Sequence, residues 1–168
     1  MNKKLGYLAI FITGVFLSGC DLGTEPTIEG TKLQAMCGEW FVGVFIDGED
    51  VGGGGYYLVT TSNTAANNET DLIINDHELL VPDAAPLSVI AKVNLSAMTF
   101  DKADKLANLT SGEAAVSIIE GKIIKGAATT TGGNKADSIY VKFAFENDPA
   151  TEWVYSGYRR TGFIEDEH

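Results

Sequence analysis

Cysteine is scarce: only Cys20 and Cys37 occur in 168 residues. There is no Cys-x-x-Cys pair and no His/Cys cluster, which excludes a zinc site and a disulfide scaffold. Histidine is equally sparse. His77 lies in the acidic turn Asn75-Asp76-His77-Glu78, and His168 is the final residue. Positive charge is outnumbered, with 12 Lys+Arg against 23 Asp+Glu and a formal net charge of −11. Such a surface repels phosphate backbones, so nucleic acid is not an expected partner. It repels anionic headgroups as well, so membrane attachment should be covalent rather than electrostatic. No apolar run reaches the ~20 residues of a membrane-spanning helix. No nucleophile elbow of the G-x-S-x-G type is present. The run Gly52 to Gly55 lacks the following Lys-Ser/Thr of a phosphate loop. Neither Asn67-Asn68-Glu69-Thr70-Asp71 nor Glu165-Asp166-Glu167 has the spacing of a calcium loop. They read as a solvated loop and a frayed tail. Neither a cofactor nor a metal is expected.

What is present begins at the amino terminus. Lys3 and Lys4 precede the apolar run Leu5 to Leu17, and Leu17-Ser18-Gly19-Cys20 follows. The charged start and short apolar stretch are those of an export signal. The last four residues resemble a lipobox, the cleavage signal of bacterial lipoproteins. Residues 1–19 are therefore expected to be removed, and the Cys20 thiol to carry a diacylglyceryl group. Several acyl chains anchor firmly where one does so only marginally. The expected location is the cell envelope, at the outer membrane (periplasmic or surface side) rather than the inner. Residues 20–31, with Gly23, Pro26 and Gly30, read as a lipidated tether. Residues 32–168 form one domain. Cys37 is left without an intramolecular partner and reads as a small buried hydrophobe.

Hydrophobic residues make up 45% of the chain, an ordinary globular value. Short β-rich runs are broken by Gly, Asn, Asp and Pro. Lys32 to Cys37 predicts a helical turn. Strands are predicted at Glu39 to Asp47, Gly55 to Ser62, Thr70 to Asp76, Ser88 to Leu95, Ala97 to Asp101, Val116 to Lys125 with a bend at Gly121, Asp137 to Glu146, and Glu152 to Phe163. Asp101 to Asn108 reads as one incidental helical turn. No long helix separates these runs, and the connections are short, so neighbouring antiparallel strands are expected. The fold class is all-β: an antiparallel up-and-down barrel of about eight strands, which leaves no exposed sheet edge.

Gly38-Glu39-Trp40 opens the first strand, and Arg159 and Arg160 lie in the last. This pairing resembles the signature of lipocalins and other calycins. It implies barrel closure by an arginine laid across Trp40, a structural cation–π stack. Neighbouring residues point to opposite faces, so either arginine could serve. A wider resemblance is to a group of bacterial lipoproteins, the lipid-binding putative hydrolase family. Four stretches carry it: Gly38-Glu39-Trp40 with its strand, Thr60 to Thr64, Gly133 to Ser138, and Gly157 to Phe163. The resemblance implies a calycin-like barrel that binds a lipid or other small hydrophobic ligand. It assigns no catalytic residue.

The residues themselves suggest where a ligand would sit. Apolar alternation groups Ile139, Val141, Phe143 and Phe145, then Trp153 and Tyr155. The second strand offers Tyr56 and Leu58, or else Tyr57 and Val59. Candidate ligand-binding residues are therefore Tyr56, Tyr57, Phe143, Phe145, Trp153 and Tyr155. Periodicity does not separate a hollow barrel from a filled one. The calycin resemblance implies that the loop at Gly52 to Gly55 lies over the barrel mouth and gates a ligand. Two other readings compete. An ester hydrolase would need His77 with a serine such as Ser62 and an acid such as Asp76. A scaffold for a protein partner would show a filled core and an exposed apolar patch.

Overall fold

A computed structural model describes residues 30–78 and 85–168. The expected export signal, Cys20 and the tether as far as residue 29 lie outside the described residues.

Among the described residues, ten antiparallel strands make one sheet: β1 Gly38–Ile46, β2 Glu49–Asp50, β3 Tyr57–Asn63, β4 Asp71–Asn75, β5 Ser88–Asn94, β6 Thr99–Phe100, β7 Ala103–Leu106, β8 Val116–Thr129, β9 Lys135–Phe145 and β10 Asp148–Arg159. The order β10-β9-β8-β6-β5-β4-β3-β1 returns on itself, because β1 also pairs with β10. Eight strands close the barrel; β2 extends the β1 hairpin and β7 pairs beside β6 on β8. The closing register runs from Trp40 opposite Arg159 to Ile46 opposite Trp153. Gly157 is needed there, since a Cβ would meet the Phe41 carbonyl oxygen at 1.9 Å.

Alternation fixes the faces. Trp40, Val42 and Val44 point inward from β1, as do Val89, Ala91 and Val93 from β5. Ile139, Val141, Phe143 and Phe145 do so from β9. Of the two settings open for the second strand, Tyr57 and Val59 join the core. A 3-10 turn, Gln34–Met36, follows Leu33 and seats Leu33 and Met36 in the tryptophan end of the barrel. The opposite, loop end gathers the β1–β3, β4–β5 and β9–β10 connections.

Three expectations are corrected. Asp101 to Asn108 holds a strand, β7, rather than a helical turn. Its residues have helical propensity, but Ala103 and Leu106 find partners in Ile118 and Val116 of β8, and pairing outweighs propensity. Lys105, at φ 55°, sits in the irregularity between those pairs. β8 also runs on to Thr129, past two register shifts. Finally, Glu165-Asp166-Glu167 is not frayed: a 3-10 turn, Ile164–Asp166, buries Asp166 completely.

Candidate functional site

The interior is built from the core-facing strand residues. Trp40, Phe143, Leu72, Ile74, Ile118, Val42 and Val44 are inaccessible to water, and Tyr155 nearly so. Side chains around a water-sized void would be accessible to it. Their inaccessibility means that they meet one another. Phe143 makes edge-on ring contacts with Phe145 at 5.6 Å and with Tyr155 at 4.8 Å between centroids. Among the described residues, these fully buried side chains leave no water-sized void between them.

Four of the six candidate ligand residues, Phe143, Phe145, Trp153 and Tyr155, therefore share one packed cluster toward the loop end. Tyr57 packs against the same cluster and donates its hydroxyl to the Gly52 carbonyl at 2.9 Å. Tyr56 stands apart on the outside, its ring stacked on His168 at 4.3 Å. The glycine loop is held by Asp50, whose Oδ1 accepts from the N–H groups of Gly52 and Gly54.

At the loop end a polar pair enters this apolar interior. Tyr155 donates its hydroxyl to Asp76 Oδ2 at 2.9 Å, and the same oxygen accepts from the Leu87 N–H at 2.9 Å. Asp76 is only 2% exposed. Burial, then the negative charge and hydrogen bond of Asp76, push the Tyr155 phenol well above its usual range. The sequence signal was weak: Asp76 ends a strand and Tyr155 lies in the apolar alternation, with nothing local to join them.

The three residues of the hydrolase reading are placed as follows. Ser62 is exposed on β3, and the Asp76 carboxylate is turned into the barrel. His77 Nε2 lies 3.1 Å from Thr60 Oγ1, and its own N–H donates to Asn75 Oδ1. Among the described residues no three His, Cys, Asp or Glu side chains gather as a metal-binding group.

At the tryptophan end, the Arg159 guanidinium lies 5.5 Å over the Trp40 ring. It donates to the Cys37 carbonyl and, at 3.3 Å, to Asp137 Oδ2. Trp40 Nε1 donates to Thr61 Oγ1 at 2.8 Å, which donates to the Met36 carbonyl. Arg160 points outward, 5.8 Å over Phe41, and pairs with Glu39 and Glu167. Next to it the carboxylate of Asp166 accepts from Gly132 N–H, Asn134 Nδ2 and Thr161 Oγ1. Burial opposes ionisation of that group. The hydrogen bonds from Thr130, Thr161, Asn134 and Gly132 prevail and hold its pKa down at about 2.

Outside the barrel, Phe45, Tyr140 and Val154 line a groove of about 390 Å³ on the faces of β1, β9 and β10. Lys142 and Glu152 stand at its rim, paired at 2.7 Å.

A closed antiparallel barrel with a plugged tryptophan end is a calycin-like architecture. The chain belongs to the lipid-binding putative hydrolase family, whose model matches residues 25–164. Comparison with curated proteins finds no match.

Proposed function

We propose that this protein is a lipid-anchored component of the bacterial cell envelope, held through Cys20, that binds a lipid or other small hydrophobic ligand. The observation that carries the binding reading is the reach of the family match. It covers residues 25–164, the barrel from its first strand to its last. A match of that reach supports a ligand site on the barrel itself. The apolar outer groove supplies contacts suited to such a ligand. The anchor reading rests on the lipobox resemblance at Leu17 to Cys20.

Native mass spectrometry of the chain carrying Cys20→Ser, expressed in a lipid-containing host, tests the binding. The expected result is a reproducible added mass that denaturation removes and solvent extraction recovers as lipid. A bare mass, unchanged after incubation with a lipid extract, would count against it. The anchor is checked separately by the acyl mass on the Cys20 peptide of the unaltered protein.

A further inference from the structure

The outward faces of β1 and β10 carry an apolar stripe as well as the inward ones. Phe41 opposes Tyr158, Gly43 opposes Ser156, and Phe45 opposes Val154. Toward the tryptophan end the chain covers its own stripe. The His168 ring meets Phe41 edge-on at 4.9 Å and stacks on Tyr56, leaving Phe41 only 5% exposed. Toward the loop end the same stripe is open. Gly43 has no side chain, so the Phe45 ring folds down over it; a Cβ there would meet that ring at 3.0 Å. Ser156, its cross-strand partner, is also small. The groove of about 390 Å³ lies here, with Phe45, Tyr140 and Val154 as its apolar wall. That volume falls within the roughly 300–1,000 Å³ of small-molecule sites.

The rim chooses among lipids. Lys142 and Glu152 form an ion pair, and Asp47 adds a second acid at the hairpin. A purely anionic headgroup would face Glu152 and Asp47 on a chain of net charge −11. A headgroup bearing both signs matches a rim bearing both signs. The interior, by contrast, offers no room without displacing Phe143 or Tyr155, which are buried against each other.

We propose that this outer groove, rather than the barrel interior, seats one acyl chain of a zwitterionic phospholipid, with phosphate at Lys142 and ammonium at Glu152 and Asp47. The assignment rests on the lipid-binding reading above and places its site.

The test uses a short-chain phosphatidylethanolamine carrying a diazirine on one acyl chain. It is photolysed below its micellar concentration with the full chain bearing Cys20→Ser, and cross-linked peptides are mapped by mass spectrometry. Cross-links are expected at Phe45, Tyr140 and Val154. Val154→Glu should lower their yield at least tenfold, and Ile90→Glu, on the outer face of β5, should leave it unchanged. Should Val154→Glu fail to fold, Ser156→Phe fills the groove without charge and should give the same loss. Cross-links confined to Phe143, Phe145 or Trp153 would overturn the groove and leave lipid binding standing. An absence of cross-links on folded protein would overturn both. Equal yield from a phosphatidylglycerol probe would overturn the zwitterionic assignment.

Discussion

Tyr155 and Asp76 are joined across the barrel interior by a 2.9 Å hydrogen bond, which ties β10 to the residue that follows β4. The bond reaches a carboxylate in an apolar surround, so its loss is expected to cost about 1.5–3 kcal/mol. Tyr155→Phe keeps the ring and removes only the donor. Urea unfolding should show that loss, and the double variant with Asp76→Asn should reveal strong coupling between the two sites. The pH dependence has a definite sign. The folded phenol titrates above its unfolded value of about 10, so its contribution is complete below that pH. It is lost as pH rises from there through the folded value. Wild type should lose stability more steeply in alkali than Tyr155→Phe.

Much of the barrel was legible because alternation is local. Val89, Ala91 and Val93 against Ile90 and Lys92 declare a half-buried strand without any partner. What alternation does not encode is which set faces in. Tyr56 and Tyr57 differ by one residue, and pairing with β1 decides that Tyr57 joins the core. Arg159 and Arg160 differ in the same way, and the register opposite Trp40 selects Arg159. β7 was misread because its partner lies in β8, beyond the reach of propensity. Asp166 was misread because its donors, Gly132 and Asn134, are some thirty positions away. The outer groove depends on two small residues, Gly43 and Ser156, meeting across strands, a coincidence no single strand displays.

Asp166 should fasten the carboxy-terminal segment in a pH-dependent manner. Its pKa is depressed to about 2. The contribution is therefore complete above the unfolded carboxyl value of about 3.9 and is lost as pH falls toward 2. The ring-current shifts of Tyr56, produced by the stacked His168, report the attachment. In wild type they should persist at pH 5 and fade between about 4 and 2. In Asp166→Asn they should already be weakened at pH 5, with proteolysis after the exposed Phe163 accelerated. Shifts unaltered in the variant would show that Arg160 and Glu167 suffice to hold the segment.

Arg159 and Arg160 should differ sharply on replacement by lysine. Arg159 stacks on Trp40 and bonds both the Cys37 carbonyl and Asp137, a planar geometry that an ammonium does not reproduce. Arg159→Lys is expected to cost about 1–2 kcal/mol, the range of a partly desolvated cation–π stack with its hydrogen bonds. Arg160 pairs with Glu39 and Glu167 at the surface, where ion pairs contribute about 0–1 kcal/mol. Arg160→Lys should accordingly be close to neutral. Paired urea titrations separate the two, and only Arg159→Lys should alter Trp40 emission.

Whether the barrel is filled decides how a truncated interior side chain behaves. Phe143 is inaccessible to water and touches Phe145 and Tyr155 edge-on. In a filled barrel, Phe143→Ala removes apolar contact and leaves a cavity, together about 3–5 kcal/mol. In a hollow barrel the ring would already face empty or solvated space, and most of the cavity penalty would be absent. A large loss of stability is therefore expected, and the new void, being apolar, should stay dry and admit a small aromatic molecule. Benzene should then raise the melting temperature of Phe143→Ala and leave wild type unchanged. A loss below about 1 kcal/mol, or benzene stabilising wild type equally, would mean that an internal cavity exists before the mutation. The lipid site would then belong inside the barrel rather than along Phe45, Tyr140 and Val154.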